Sequence, residues 1–64
     1  MTIMDLGKFV RGGEKVCIVS EKFFQRCNKI FEGRYMDIPV DLLDIVVSEI
    51  RSIYDFLTIY FRAD

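Results

Sequence analysis

The chain has 64 residues, of which 52% are hydrophobic and 14% are aromatic, and its formal net charge is −1. A chain of this length forms one domain at most and removes only about 60% of its unfolded surface from water on folding. The small net charge excludes a general attraction to nucleic acid or anionic membrane, so such binding requires a local basic patch. The high apolar content exceeds what one small core encloses and therefore predicts a homo-oligomer.

Two cysteines, Cys17 and Cys27, are present, and the first residues, MTIMDLGKFVRGG, lack the long apolar run of a signal peptide. We therefore expect a cytoplasmic protein with reduced thiols. No apolar run approaches the roughly 20 residues that cross a membrane, so we expect no membrane partner.

The N-terminal residues carry a short apolar cluster around Leu6 and Phe9, followed by paired glycines that indicate a turn or hinge. We predict a loosely attached arm over residues 1–12 and a single small domain over residues 13–64. At the start of that domain, β-branched residues in KVCIVS predict a strand near residues 14–20.

The next segment, residues 20–33, fits two structures. Ser20 and Gly33 could begin and end a helix, and the phenylalanines and Ile30 between them fall at helical spacing. Alternatively, the chain turns near Asn28 and KIFEGRYM forms a second strand paired with the first. Local pattern slightly favours the helix.

The same conflict recurs in DIPVDLLDIVVSEIRSI, where Pro39 suits the first turn of a helix but the run Ile45–Val47 suits a strand. A short helix that gives way to a strand is compatible with both signals. The C-terminal FLTIYF is clearer, because Leu57, Ile59 and Phe61 alternate with less apolar residues and predict a strand with one apolar face.

Gly33, Asp37-Ile38-Pro39 and Leu42-Leu43-Asp44, followed by the alternating C-terminal strand, resemble a pattern in small prophage and mobile-element proteins of clostridia and related gut bacteria. One branch of these proteins is a type II-A anti-CRISPR against Cas9 that acts on DNA topology. The resemblance covers roughly residues 14–62. This chain departs from the pattern in the aromatic EKFFQRCNK, where a polar turn is expected, and in the extension before Gly12.

The resemblance implies a bent antiparallel sheet of four strands, similar to that of single-strand-binding transcriptional coactivators, which self-associates into dimers or tetramers. It favours strands at both ambiguous segments. We therefore predict a mainly β fold with strands near 14–20, 29–37, 46–53 and 56–62 and a short helix near 39–44. The alternative is an α+β fold with helices near 20–32 and 40–53.

The implied function is inhibition of a host nuclease defence in the bacterial cytoplasm, with DNA or the nuclease itself as partner. The alternative is a homo-oligomeric protein-interaction module without nucleic-acid contact.

Basic residues between residues 22 and 34 are interleaved with aromatic ones, the combination that follows a phosphate backbone and stacks unpaired bases. The competing interpretation places the phenylalanines in the core and the cations on a solvated rim. The candidate nucleic-acid-binding residues are Lys22, Arg26, Lys29 and Arg34.

We expect no cofactor and no metal, with Mg²⁺ as the one alternative. Its weak candidate ligands are the one acidic cluster, Asp37, Asp41 and Asp44. Helix capping and solvation explain them better. The chain contains no histidine, which removes the commonest general base. We assign no catalytic residue and favour a protein that is not an enzyme; the one activity left open is metal-assisted DNA nicking.

The C-terminal strand is the predicted oligomer interface, because a strand at the edge of a small sheet presents unpaired backbone groups and this one carries an apolar face. Ordinary core packing within one subunit is an equally good explanation. The residues concerned are Leu57, Ile59 and Phe61.

Overall fold

The computed structural model describes residues 1–21 and 27–62, and everything below concerns that part of the chain. It contains four strands, β1 (Lys15–Glu21), β2 (Cys27–Arg34), β3 (Glu49–Ile53) and β4 (Phe56–Arg62). The helical elements in these ranges are short 3₁₀ helices at Met4–Lys8, Tyr35–Asp37 and Val40–Leu42. The predicted mainly β fold with a short helix after Pro39 is confirmed.

The four strands form one sheet in the order β2-β1-β4-β3. β1 and β2 are antiparallel, as are β3 and β4, but the central strands β1 and β4 run parallel. The prediction of a wholly antiparallel sheet was therefore wrong at its centre. The reason is the crossover between β2 and β3, which carries the chain from one edge of the sheet to the other and places β4 beside β1 in the same direction.

Both ambiguous segments contain strands where they are described, so the α+β alternative was wrong there. Cys27–Arg34 forms β2, and the part of the predicted helix over residues 22–26 lies outside the described residues. After the 3₁₀ turn Val40–Leu42, the chain reaches β3 at Glu49, three residues later than predicted. β-branched residues indicate that a strand is present, but they do not specify which residue is the first to pair with the neighbouring strand.

The hydrophobic core lies on one face of the sheet, where Val16, Ile18 and Ile59 are completely buried. Ile3 and Leu6 from the N-terminal segment complete this core together with Ile38. The predicted loose arm is therefore packed against the sheet, because a single sheet has to bury its apolar face against another layer.

Backbone hydrogen bonds fasten the N-terminal segment to the crossover. The Ile3 N–H donates to the Ile45 carbonyl at 3.0 Å, and the Val47 N–H donates to the Met1 carbonyl at 2.8 Å. The Tyr35 hydroxyl donates to the Ile3 carbonyl at 2.6 Å. These bonds hold the N-terminal segment and the crossover as one layer over the sheet.

Two irregularities shape β2. Its register with β1 shifts between Ile18 and Val19, which leaves Ile30 as an additional residue opposite them. At Gly33 a Cβ atom would lie 3.2 Å from the ring of Phe31 on the same strand, so the glycine leaves room for this ring.

Candidate nucleic-acid interface

The sheet has a second face, opposite the core, that we call the outer face. Because side chains alternate along a strand and directly paired residues share a face, it consists of the odd-numbered residues of β1, the even-numbered residues of β4 and their cross-strand partners. The N-terminal segment and the crossover pack on the core face. Neither therefore covers the outer face.

The outer face has the opposite charge balance to the whole chain. Its five cations and three carboxylates give it a net charge of +2, whereas the chain carries −1. A local excess of positive charge is what an electrically near-neutral chain needs to attract a polyanion. The cations are Lys15, Lys29, Arg34, Arg51 and Arg62, and the carboxylates are Glu21, Glu32 and Glu49.

Two aromatic rings on β4 lie between these cations. The Lys15 Nζ atom is 6.0 Å from the centroid of the Phe56 ring, and the Arg51 Cζ atom is 5.8 Å from the centroid of the Tyr60 ring. Both rings are half-buried. An arrangement of rings flanked by cations suits bases that stack and a phosphate backbone that runs beside them.

Two of the cations already have partners. Lys29 contacts Glu32 at 2.8 Å, and Arg51 contacts Glu49 at 2.7 Å. The hydrogen bond to Glu32 raises the pKa of Lys29, and the hydrogen bond to Glu49 raises the pKa of Arg51, so both side chains remain charged at neutral pH. Exposed ion pairs of this kind contribute little to stability, so a phosphate group can replace the carboxylate.

Cys17 is the one cysteine whose side chain the structure describes. It is half-buried on the outer face, beside its cross-strand neighbour Glu32. Burial raises the pKa of its thiol, which keeps the sulfur protonated at neutral pH. A protonated thiol is a poor nucleophile, so this environment does not activate Cys17.

Of the predicted nucleic-acid-binding residues, Lys29 and Arg34 lie on the outer face in β2. Lys22 and Arg26 lie outside the described residues. The other cations and both rings of this face were not predicted from the sequence. The signal was available in β4, because the same alternation that points Leu57 and Ile59 into the core points the intervening residues, Phe56, Thr58, Tyr60 and Arg62, to the other side.

The predicted oligomer interface rested on β4 being an edge strand, and that premise was wrong. β4 lies between β1 and β3, so both its backbone edges are paired within the subunit. Ile59 is completely buried in the core, and Leu57 and Phe61 pack against it. The alternating pattern could not distinguish a central strand from an edge strand, because both kinds of strand share the same side-chain period.

The acidic candidates Asp37, Asp41 and Asp44 are all exposed. Within residues 1–21 and 27–62, no group of three or more His, Cys, Asp or Glu side chains is placed to hold a metal ion. The expected capping bonds are not formed either, since neither 3₁₀ helix of the crossover has a side-chain cap. These carboxylates keep an exposed corner of the molecule polar.

None of the helices in the described part of the chain has the length and apolar character needed to span a membrane. Comparison of the chain with models of protein families, with curated proteins and with solved structures finds no match.

Proposed function

We propose that this chain is a phage or mobile-element accessory protein that inhibits a host nuclease defence, in the manner of an anti-CRISPR, through DNA binding or altered DNA topology in the bacterial cytoplasm. The resemblance carried by Asp37-Ile38-Pro39 and Leu42-Leu43-Asp44 motivates the biological role. The observation that supports DNA contact is the outer face, with its net charge of +2 and with a cation over each of two rings.

Single-stranded DNA fits this face better than a duplex. Phe56 and Tyr60 are four residues apart on β4, so their side chains lie on the same side of the sheet. Stacking on such rings requires bases that are not paired with a second strand. A protein that holds one strand of opened DNA would also change the topology of a closed plasmid and compete with a nuclease that has to open its target.

The direct test is fluorescence anisotropy of a labelled single-stranded oligonucleotide titrated with the purified chain. Replacing both rings, Phe56→Leu with Tyr60→Leu, keeps apolar bulk but removes stacking. We expect at least a 5-fold loss of affinity per ring, from about 1 kcal/mol or more per stacked base. Tyr54→Leu is the matched control, because Tyr54 is 96% exposed in the turn beyond the sheet.

A second experiment tests whether the cations of the outer face contribute to DNA binding. Lys15→Gln removes a charge from the outer face, whereas Lys8→Gln removes the same charge from the 3₁₀ helix that packs on the core face. Only the first should weaken binding. If the chain at micromolar concentration neither shifts DNA nor relaxes a supercoiled plasmid, with or without Mg²⁺, DNA contact is wrong.

A second candidate is a homo-oligomeric protein-interaction module without nucleic-acid contact. It is favoured by β3, an edge strand whose five residues are all exposed, and by the two ion pairs that already occupy Lys29 and Arg51. This candidate predicts that the chain protects a target from a Cas9-type nuclease without binding DNA. Charge reversal at Lys29 would then leave protection unchanged.

A further inference from the structure

The two edges of the sheet differ in how well they are protected against pairing with another strand. Each edge strand carries one exposed salt bridge, but only β2 carries a bulge, at Ile30, which discourages edge pairing. β3 pairs in regular register with β4 from Glu49 to Ile53, and Ile50 and Ile53 are 39% and 40% exposed. Among the described strands, β3 is the open edge.

The direction of the backbone groups on β3 follows from its pairing with β4. The Tyr60 carbonyl accepts from the Ser48 N–H, so the polar groups of Tyr60 point towards β3, where its direct partner is Glu49. Since hydrogen-bonded pairs alternate along an antiparallel ladder, Glu49, Arg51 and Ile53 bond to β4. The N–H and C=O groups of Ile50 and Ser52 point away from the sheet.

We infer that two copies of this chain pair through antiparallel β3 strands about a two-fold axis at Ile50. Ile50 then lies opposite Ile50 of the second copy and exchanges both backbone hydrogen bonds with it. In this register Glu49 of each copy lies opposite Arg51 of the other. The charges of β3 are thus self-complementary when read in opposite directions, which is what a two-fold interface requires.

The other registers lack this complementarity. An axis at Ser52 also uses outward backbone groups, but it places Arg51 opposite Ile53 and Glu49 level with Asp55, which has the same charge. An axis at Arg51 also joins outward backbone groups, those of Ile50 with those of Ser52 of the second copy, but it places two arginines face to face. The charge pattern therefore selects the register centred on Ile50.

The pairing has a structural consequence. Because the two-fold axis is perpendicular to the sheet, the two outer faces lie on the same side of one eight-stranded sheet. The contact involves only a short strand from each copy, so it is smaller than a standard interface and we expect a dissociation constant weaker than about 1 µM. This inference rests on the self-association proposed above and not on DNA contact, so the two are tested separately.

Sedimentation equilibrium of the full chain, without DNA, tests the pairing through charge reversal. Glu49→Arg places two arginines opposite each other, and Arg51→Glu places two glutamates opposite each other. We expect each variant alone to dimerise at least 10-fold more weakly than the wild type. When the two variants are mixed in equal amounts, every pair becomes Arg opposite Glu, and a heterodimer of wild-type strength should form.

The double variant Glu49→Arg with Arg51→Glu should regain the homodimer for the same reason. Glu14→Arg and Arg11→Glu are the controls, because they change net charge equally at exposed positions outside the strands and should dimerise like wild type. Circular dichroism establishes that each variant is folded. A wild type that stays monomeric to about 1 mM, single variants that dimerise normally, or a mixture that stays monomeric would each overturn the inference.

Discussion

Tyr35 shows how one side chain joins two segments that are distant in sequence. Its hydroxyl donates to the Ile3 carbonyl, 32 residues away, at 2.6 Å, and its ring packs against the core cluster. Burial raises the pKa of the Tyr35 hydroxyl from its ordinary value of 10.0. The group is therefore held as a neutral donor between the crossover and the N-terminal segment.

Tyr35→Phe should lower the free energy of unfolding by about 1 kcal/mol, because it removes this hydrogen bond and keeps the packed ring. Urea denaturation at pH 7 measures the difference. Tyr54→Phe is the control, since Tyr54 is 96% exposed, and should change stability by less than about 0.5 kcal/mol. Equal effects of the two variants would contradict a specific role for Tyr35.

The stabilities of the wild type and of Tyr35→Phe should respond differently to alkaline pH. A raised pKa means that the folded state retains the Tyr35 proton at a pH where the unfolded state has released it. The contribution of Tyr35 to stability is complete below pH 10.0 and is lost as the pH rises through the folded-state pKa. The stability gap between wild type and Tyr35→Phe should therefore narrow above pH 10.0, and a constant gap would argue against it.

At the scale of elements, the N-terminal segment behaves as part of the core and not as an appendage. Its 3₁₀ helix, Met4–Lys8, begins after a reciprocal pair of hydrogen bonds between Thr2 and Asp5, and it delivers Leu6 to the sheet. The Thr2 N–H bond lowers the pKa of Asp5, which keeps that carboxylate ionised and able to accept. Local capping and long-range packing support the same conformation here.

Leu6→Ala should destabilise the protein by about 2–5 kcal/mol, the usual cost of truncating a buried leucine. Phe9→Ala removes a larger side chain from the same segment but should cost less than about 0.5 kcal/mol, because Phe9 is 74% exposed whereas Leu6 is 2% exposed. Thermal unfolding compares the two. If the segment were a loose arm, neither variant would change the midpoint.

Elements with a strong local pattern were predictable, and their arrangement was not. The β-branched run of β1 and the alternation of β4 located both strands to within about one residue. In contrast, β2 and β3 lay in segments where helix and strand patterns overlapped. The crossover decides between them, because only in the folded chain do Phe31 and Ile50 lie opposite residues of the central strands.

For the molecule as a whole, the separation of charge matters more than the total. A chain with a net charge of −1 is not expected to bind a polyanion, yet its outer face carries +2. The candidate site was half predicted: Lys29 and Arg34 were named, but Lys15 and Arg51 lie far from them in sequence. The sheet brings these cations onto one face by arranging their strands in the order β2-β1-β4-β3.

Salt dependence tests whether this separation of charge governs DNA binding. The five cations of the outer face limit the slope of log affinity against log salt to about −3.5 for a single strand. Because Lys29 and Arg51 exchange a carboxylate for a phosphate, we expect a slope of roughly −2 to −3. Titrations between 50 and 300 mM salt, roughly the range over which counterion release is resolved, measure it. A slope near zero would exclude the cations as the binding determinant.

The sequence by itself determined that this chain forms strands and which side chains of β4 face the core, since a period of two residues is a local property. Tertiary structure alone decided the strand order, the parallel central pair, the exposed edge at β3 and the place of the first residues in the core. These features depend on a crossover that joins opposite edges of the sheet, and contacts between segments so distant in sequence leave no periodic signal in either one.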